Sequence, residues 1–511
     1  MAAVPHAYPE GCIFNTLADI RNSHITVMGL GLNGGGEASV RFFLQHGAYV
    51  LVTDMKTAEQ LKPTIDAIAS DTALDTNRLT YHLGEHRIED FSGADCVIKN
   101  PGVKYDGNKF LAAAKAVETD LSIFLHFTKA PVIAVTGSKG KSSTVSAIHY
   151  GLTQAGFTAY LGGNITVSPL TFLDKTDSTT PVVLELSSWQ LADLRCRKAL
   201  KPHIAVITKI VPDHQNWYGN MESYVADKRL IYADQTPEDY TIIDADGDEP
   251  GTGPAGGGRW GDLFASETKG TVLRYSSTEL KKGLFGVWQE MHGDTFTGRM
   301  LLKGQKPETV LTGLSVPGAH MRTNVLNAAL VLSLEGVSAQ KTAAILGRWQ
   351  GIPHRLQYFY TYSTDSCAIR FYNDSCATVP EAAAAASQAF GKPVIFITGG
   401  TDKGLEFTQL ADTLACKEKN TIPVKALYLL AGTGTDKLIL LLNSSGIPFN
   451  GPYQSLDALL ADIKLAADAG STNSSIQDIA VFSPGATSFG MFANEFDRGN
   501  KFMEKVQQLF K

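Results

Sequence analysis

The sequence predicts an α/β protein of three domains, each built on a largely parallel sheet, and three observations support this prediction. The chain has 511 residues, which is too many for one hydrophobic core when about 150 residues per domain is usual. The pattern of strand, glycine turn and amphipathic helix occurs in three well-separated regions, as in alternating α/β folds. The 48 glycines suit a chain with many strand-to-helix turns.

The first region predicts a Rossmann-like N-terminal domain over residues 1–126. An apolar strand at 25–28 enters "GLGLNGGG" at 29–36, and an amphipathic helix and a second strand at 49–53 follow. Asp54 follows that strand, so the region matches the dinucleotide-binding pattern. In that pattern the N-terminus of the helix binds phosphate, and an acidic side chain binds the ribose hydroxyls. The alternative is a tight turn that only packs the helix on the strand.

The second region predicts a central domain over 127–352, with a parallel sheet like that of P-loop ATPases. A buried-type strand at 132–136 runs into "GSKGKSS" at 137–143, and an amphipathic helix follows. In such a loop, backbone N–H groups turn inward and the lysine reaches terminal phosphates, while the hydroxyl can ligate Mg²⁺. We therefore expect Lys141 and Ser142 to hold a nucleoside triphosphate. The alternative is a turn that merely caps a helix.

The third region predicts a Rossmann-like C-terminal α/β domain over 353–511. Apolar strands at 394–398, 427–430 and 479–482 are followed by "GGTDKG", "AGTGTDK" and "SPGATS". In open α/β sheets, ligands bind beyond the carboxyl ends of the strands. These loops are therefore expected to form a ligand site.

Composition excludes several classes of protein. A net charge of −6 without a basic run argues against nucleic acid as a partner. The first residues lack the basic start and apolar run of a secretory signal, and no apolar stretch is long enough for a membrane span. The six cysteines form no CxxC pair, which favours reduced thiols over disulfides or a zinc site. We therefore expect a cytoplasmic protein that binds neither membranes nor nucleic acid.

Eight short strings, in order along nearly the whole chain, resemble those of the Mur ligases. They are "TGSKGKSST" (136–144), "GGNI" (162–165), "ELSSWQL" (185–191), "PDHQNWY" (212–218), "DKRLIY" (227–232), "PGAHMRTN" (317–324), "PHRLQ" (353–357) and "NDSCAT" (373–378). Together with "GGTDKG" and "SPGATSFGMF", the string "ELSSWQL" is most similar to the family member that adds glutamate. The resemblance implies three α/β domains and an ATP-dependent ligase.

The implied reaction joins D-glutamate to UDP-N-acetylmuramoyl-L-alanine in peptidoglycan precursor synthesis. In this family, ATP phosphorylates the substrate carboxylate, the amino group attacks the acyl phosphate, and a tetrahedral intermediate gives amide and phosphate. Such chemistry relies on positioning and on stabilising negative charge rather than on a protein nucleophile. The resemblance therefore implies ATP and Mg²⁺, with a second Mg²⁺ ion, as cofactors. We expect the protein to be a monomer.

The same resemblance assigns the site residues. The expected catalytic residues are Lys141, His214 and Lys228. The expected Mg²⁺ ligands are Ser142, Glu185, His214 and Lys228, the last once carbamylation has turned its cation into an anion. The expected ATP-binding residues are Gly137, Ser138, Lys139, Gly140, Lys141, Ser142, Ser143, Asn324, His354, Arg355 and Asp374. The expected residues for the UDP-linked substrate are Leu32, Asn33, Gly34, Asp54, Met55, Lys56, Asn100, Gly102, Asn164, Ser187 and Gln190. Those expected for glutamate are Thr378, Lys403, Ser488 and Phe489.

Other functions stay open at this point. The chain departs from the commonest family pattern at four positions, which are Asn216, Met321, Cys376 and Glu495. These touch the adenine and amino-acid sites, so L-glutamate or another amino acid is an alternative acceptor. A ligase like folylpolyglutamate synthetase would share the central loop but differ in the first and last domains. In a different class, an NAD-dependent Rossmann oxidoreductase would use residues 29–36 but leave Lys141, Glu185 and His214 without a role.

Overall fold

The fold is mixed α/β, as the sequence predicts. The computed structural model describes residues 5–32, 34–165, 167–248, 250–293, 295–364, 367–417, 421–469, 477–488 and 490–511. The chain divides into two compact units, of which unit 1 comprises Met1–Thr312 with Thr323–Leu346, and unit 2 comprises Gly313–Arg322 with Gly347–Lys511. The predicted domain boundaries near residues 126 and 352 stay predictions.

Unit 1 holds two sheets and the helices that cover them. The strands are β1 (His24–Met28), β2 (Tyr49–Asp54), β3 (Leu79–Leu83), β4 (Cys96–Lys99), β5 (Val117–Glu118), β6 (Val132–Thr136), β7 (Tyr160–Gly163), β8 (Val182–Glu185), β9 (Ile204–Ile207), β10 (Tyr240–Asp244), β11 (Thr271–Ser276), β12 (Gly286–His292), β13 (Thr295–Leu301) and β14 (Glu308–Leu311). The helices up to residue 346 are α1 (Gly35–Gln45), α2 (Ala58–Ala69), α3 (Ile88–Ser92), α4 (Lys109–Ala112), α5 (Asp120–Phe127), α6 (Lys141–Ala155), α7 (Ser188–Ala192), α8 (Gln215–Tyr218), α9 (Met221–Lys228), α10 (Trp260–Glu267), α11 (Ala319–Leu334) and α12 (Ala339–Leu346).

The N-terminal sheet has five parallel strands in the order β3-β2-β1-β4-β5. The loop between β1 and α1 turns through Gly29, Gly31 and Gly34, each with a positive φ. Gly36 lies at the start of α1, and a Cβ added there would overlap the carbonyl oxygens of Gly29 and Leu30. Glycine at this position therefore lets the helix pack closely against the end of the strand.

The second sheet has nine strands in the order β14-β13-β12-β11-β10-β9-β6-β8-β7. The seven strands from β12 to β7 are parallel, and the central strands β6, β8 and β9 are buried at every residue. This explains why they appear in the sequence as continuous apolar runs. The edge strands β12, β13 and β14 pair antiparallel. The sequence analysis did not predict this edge, where buried residues alternate along β13.

Unit 2 holds a single six-stranded sheet. Its strands are β15 (Gln357–Ser363), β16 (Ala368–Asn373), β17 (Ile395–Thr398), β18 (Ala426–Leu430), β19 (Asn450–Tyr453) and β20 (Gln477–Phe482), in the order β15-β16-β20-β17-β18-β19. All pairs except β15 with β16 are parallel. The remaining helices are α13 (Pro380–Gln388), α14 (Thr408–Leu414), α15 (Thr433–Ser444), α16 (Leu456–Ala469) and α17 (Glu495–Leu509). The three predicted strands of this region correspond to β17, β18 and β20.

Across the described ranges, no helix combines the length and the apolar character needed to cross a membrane.

We expect Gly36→Ala to lower the free energy of unfolding by about 1–3 kcal/mol, because the added methyl group must displace backbone atoms. Gly35→Ala is the matched control, since a Cβ at Gly35 meets no atom within 4 Å. The control should be neutral or stabilising by up to about 1 kcal/mol, the helix preference of alanine over glycine. Urea unfolding of the two variants measures both changes. Equal stability of the two variants would contradict the close packing of α1 on β1.

Candidate active site

The loop between β6 and α6 is shaped by two close approaches of its backbone. Gly137 has φ 143° and Gly140, the N-cap of α6, has φ 95°. A Cβ at Gly137 would overlap the hydroxyl of Thr208, and a Cβ at Gly140 would overlap the amide oxygen of Asn324. Both glycines are thus required by space as well as by conformation. They bring the predicted adenine residue Asn324 against the predicted phosphate loop.

Residues that follow β9 hold this loop in place. The carbonyl oxygen of Lys209 accepts from the N–H groups of Ser138 at 2.9 Å and Lys139 at 3.3 Å. The Ser138 hydroxyl donates to Val211 O at 2.8 Å and accepts from the Tyr224 hydroxyl at 3.0 Å. The sequence did not indicate Lys209 and Val211, because they act through backbone carbonyl groups, which every residue has. Tyr224 acts through its hydroxyl but was not predicted either. The Ser138 hydroxyl thus uses its hydrogen bonds to hold the loop in place.

Two lysines meet beneath the loop. Lys141 Nζ donates to Gly137 O at 3.0 Å and Ser138 O at 3.1 Å, and Lys228 Nζ donates to Gly137 O at 2.8 Å. Lys228 is only 1% exposed. Burial lowers the pKa of Lys228 well below its usual value, and the charge of Lys141 lowers it further. Burial also lowers the pKa of Lys141. Burial and the charge of Lys141 both favour the neutral form of the Lys228 amine, which is the form that carbamylation requires.

Glu185 ends β8 next to the loop and is buried. Its Oε1 accepts from Asn164 Nδ2 at 2.9 Å, whereas its Oε2 is buried without a hydrogen-bond partner. The negative charge of Glu185 raises the pKa of Lys141 and of Lys228, but burial lowers both pKa values by more. An unpartnered buried carboxylate oxygen is costly unless it meets a cation. Glu185 thus fits the expected role of a Mg²⁺ ligand.

His214 lies at the start of α8 with a positive φ of 52°. Its ring packs against Trp189, with centroids 4.9 Å apart, and edge-on to Tyr224 at 6.2 Å. The described residues contain no group of three or more His, Cys, Asp or Glu side chains that could hold a metal ion. A magnesium site here would need other oxygen donors, such as the half-buried Ser142 or a carbamylated Lys228. The metal ligands stay predictions.

The two residues expected near the muramoyl group form a capping box at the start of α7. Ser187 Oγ accepts from Gln190 N at 3.2 Å, and Gln190 Oε1 accepts from Ser187 N at 3.0 Å. This arrangement satisfies two N–H groups at the helix start. It also fixes both side chains beside the end of β8.

In the N-terminal sheet, Asp54 closes the glycine loop. Its Oδ2 accepts from Gly31 N at 3.1 Å and its Oδ1 accepts from Lys56 N at 2.9 Å. Asp54 is buried, whereas Met55 and Lys56 are exposed beside it. The carboxylate therefore joins the ends of β1 and β2, where a ribose would be expected.

The turn after β4 lies beside the same loop, because β4 pairs with β1. Asn100 Oδ1 accepts from Gly102 N at 3.0 Å. Leu32 is exposed and Gly34 is the N-cap of α1. Asn33 lies outside the described residues. The structure thus brings most residues expected for uridine diphosphate to one edge of the sheet.

In unit 2, the residues expected for adenosine surround the start of β15 and the end of β16. Asp374 is buried, its Oδ1 accepts from Leu356 N at 3.0 Å, and its Oδ2 accepts from the Ser483 hydroxyl at 2.6 Å. Burial raises the pKa of Asp374 to about 6. The His354 ring lies 2.9 Å from Asn373 Nδ2, whereas Arg355 is exposed. Both Asp374 oxygens thus already have protein partners.

The loops expected to hold glutamate meet at the carboxyl ends of β16, β17 and β20. Thr401 and Thr487 exchange backbone hydrogen bonds of 3.2 and 3.0 Å, and Gly485 N donates to Ala377 O at 2.9 Å. Ser488 is buried, Thr378 is half-buried and Lys403 is exposed. Phe489 lies outside the described residues.

Comparisons with known proteins settle the family. Residues 23–121 match the family "Mur ligase MurD-like, N-terminal domain", and residues 135–332 match "Mur ligase middle domain". A UDP-N-acetylmuramoylalanine–D-glutamate ligase of Treponema pallidum (strain Nichols) is 38% identical over 96% of this chain and 98% of its own length. This chain belongs to the Mur ligase family. A ligase of the same name from Borreliella burgdorferi (strain ZS7) is 34% identical over 96% and 99% of the two chains.

Solved Mur ligases share the fold at low sequence identity. The UDP-N-acetylmuramate-alanine ligase of Thermotoga maritima is 17% identical, with a TM-score of 0.51 over 95% of this chain and 99% of its own. A MurF structure from Acinetobacter baumannii is 16% identical, with a TM-score of 0.53 over 81% and 91% of the two chains. The family and fold class expected from the motifs are confirmed, and this Mur ligase is an enzyme of the ligase class.

We expect Lys228 of this Mur ligase to form a carbamate at neutral pH. Its lowered pKa raises the share of the neutral amine, the form that attacks CO₂ and releases a proton, relative to an ordinary lysine. ¹³C NMR with labelled bicarbonate should show a carbamate carbonyl signal that disappears in Lys228→Arg. Lys209→Arg is the control, because Lys209 pairs with Asp244 at 3.1 Å and should not affect the signal. A signal that survives in Lys228→Arg would rule out this site.

Proposed function

We propose that this Mur ligase joins D-glutamate to UDP-N-acetylmuramoyl-L-alanine, driven by ATP, in peptidoglycan precursor synthesis. The observation that carries the proposal is the phosphate loop, with Lys141 and Lys228 on one carbonyl oxygen and an unpartnered Glu185 oxygen nearby. The name and near full-length coverage of the Treponema pallidum relative support the same substrates. The proposed reaction passes through an acyl phosphate and a tetrahedral intermediate.

The loop and its neighbours would bind and orient the phosphates of ATP. Lys141 can leave its backbone acceptors and reach a terminal phosphate, and the N-terminus of α6 adds partial positive charge. Glu185, Ser142, His214 and carbamylated Lys228 would hold Mg²⁺. When bound, Mg²⁺ would neutralise negative charge on the phosphoryl group. Of these residues, Glu185 and Lys228 are buried, and their side of the site would help to exclude water from the acyl phosphate.

The remaining contacts are proposed from position in the fold and from the family motifs. The edge that carries Gly34, Asp54 and Asn100 would take the uridine diphosphate, and α7 with Asn164 would take the muramoyl part. In unit 2, His354, Arg355 and Asp374 would contact adenosine. In unit 1, Asn324 is proposed as an ATP-binding residue beside the phosphate loop. In unit 2, Lys403 would pair with the side-chain carboxylate of glutamate, next to Thr378 and Ser488.

The use of ATP supports a place in the cytoplasm, where ATP is available. That the enzyme acts as a monomer is likewise a proposal. Neither statement requires a membrane or nucleic-acid partner.

Phosphate release is the measurement that tests the proposal. We expect the enzyme to release phosphate from ATP only when UDP-N-acetylmuramoyl-L-alanine and D-glutamate are both present. Parallel reactions with L-glutamate, with D-aspartate and without an amino acid are the controls, and mass spectrometry identifies the product.

The controls separate the alternatives. Turnover with L-glutamate but not D-glutamate would keep the ligase mechanism and change the acceptor. Turnover that does not depend on the UDP-linked substrate would contradict the assignment of the N-terminal sheet. Absence of turnover under every condition would contradict the proposed reaction.

We expect Lys141→Ala to lower kcat by about 10²–10³-fold, because the variant loses a donor aimed at developing negative charge. Lys62→Ala is the control, because Lys62 lies on α2 outside every proposed site. Lys62 is exposed and pairs with Asp66 at 2.9 Å on the surface, so its loss should change kcat by less than about twofold, in line with the small contribution of surface ion pairs. Steady-state kinetics at saturating substrates measures both variants. Similar kcat values for the two would remove Lys141 from the phosphate site.

A further inference from the structure

A buried ion pair joins the two sheets of unit 1. Lys99 Nζ lies 2.8 Å from Asp193 Oδ2, and the two side chains are only 1% and 9% exposed. Lys99 is the last residue of β4 in the five-stranded sheet, and Asp193 is the C-cap of α7, which follows β8 of the nine-stranded sheet. The pair therefore links elements that are distant in sequence and belong to different sheets.

On its own side, Lys99 shapes the turn after β4. Its Nζ also donates to Asn100 O at 3.1 Å and Val103 O at 2.8 Å. The turn is further held by Asn100 Oδ1, which accepts from Gly102 N, and by Val103 N, which donates to Asn100 O at 3.0 Å. Lys99 thus ties this turn, with its expected uridine diphosphate contacts, to α7.

Asp193, the other member of the pair, is held by Tyr8 of the N-terminal segment and by Arg197, which follows α7. The Tyr8 hydroxyl donates to Asp193 Oδ1 at 3.0 Å, and Arg197 Nε donates to Asp193 O at 2.8 Å. Arg197 in turn pairs with the buried Glu118 of β5 at 2.9 Å. The start of the same short helix carries Ser187 and Gln190, the expected muramoyl contacts. Asp193 therefore cannot move without moving α7.

We propose that Lys99 and Asp193 are positioning residues for the UDP-linked substrate. Their ion pair holds the turn that meets the uridine diphosphate end and the helix that meets the muramoyl end at one fixed separation. This inference rests on the proposed function, and the pair itself touches neither ATP nor glutamate.

A fixed separation matters because one substrate spans both contacts. When two contacts are held on one rigid frame, binding at the first raises the effective concentration at the second. Without the frame, binding must also order the two elements, which weakens affinity for the complete substrate. UDP alone meets one of the two contacts, so its affinity should depend much less on the pair.

The test uses Lys99→Met with Asp193→Asn, which removes both charges while keeping the side chains similar in size and leaving an acceptor for Tyr8. We expect Kd for UDP-N-acetylmuramoyl-L-alanine to rise about tenfold, the upper range for residues that couple two sites. Kd for UDP should rise by clearly less than Kd for the complete substrate, because UDP lacks the second contact, even though Lys99→Met also removes the bonds to Asn100 O and Val103 O. KM for the UDP-linked substrate should rise likewise, with kcat and KM for ATP retained. A merely structural pair would not produce this split.

Lys115→Met with Asp95→Asn is the matched control, because this pair in the same sheet is exposed and its atoms are 3.6 Å apart. The control should leave every constant at its wild-type value. Thermal unfolding checks that the variants fold. If the double variant does not fold, Asp193→Asn alone gives the same comparison, because it removes the ion pair while Lys99 keeps its backbone acceptors Asn100 O and Val103 O.

Equal affinity of wild type and variant for the complete substrate, or an equal loss for UDP and the complete substrate, would overturn the positioning role. Those results would leave the proposed function intact. A wild-type chain that binds neither UDP nor the complete substrate would instead overturn the proposed function, and this inference with it.

Discussion

Lys141 and Lys228 both donate to the carbonyl oxygen of Gly137, so two amines share a place where burial makes positive charge unfavourable. The backbone reaches this place only because Gly137 has no side chain to meet Thr208. The negative charge of Glu185 partly offsets this cost of burying positive charge, but one Glu185 oxygen has no hydrogen-bond partner. A bound phosphate would satisfy the two amines, and a cation would satisfy the Glu185 oxygen, better than the neighbouring protein groups do. The loop, its glycines and the residues after β9 all serve to maintain this arrangement.

Strand order explains how these groups come together. The order β9-β6-β8-β7 brings the ends of four parallel strands to one edge, and with them Thr208, the phosphate loop, Glu185 and Asn164. The order β2-β1-β4 does the same for Asp54, the glycine loop and Asn100. In unit 2, the order β16-β20-β17 does so for Asp374, Ser483 and Thr401. Each sheet thus brings these groups to the carboxyl ends of its parallel strands, which is where ligands bind in open α/β folds.

Much of the fold could be predicted because buried parallel strands are continuous apolar runs that end at glycine turns. The antiparallel edge β12–β14 was not predicted. Along its middle strand β13, buried residues alternate with less buried ones, which is a weaker pattern than a continuous apolar run. The support that Lys209 gives the phosphate loop could not be predicted either. It uses a backbone carbonyl, which every residue has, so the side-chain sequence does not indicate it.

The sequence by itself determined the family, the α/β class and the kinds of chemical group in each loop, because motifs and hydrophobic patterns are local properties. Only the tertiary structure decided which of those groups are buried, and which share a partner. The pKa of Lys228 falls because of desolvation and a neighbouring charge, and both depend on residues far away in the chain. The Lys99–Asp193 pair is likewise a product of packing. Burial and electrostatics act through space, so they appear only once the sheets are assembled.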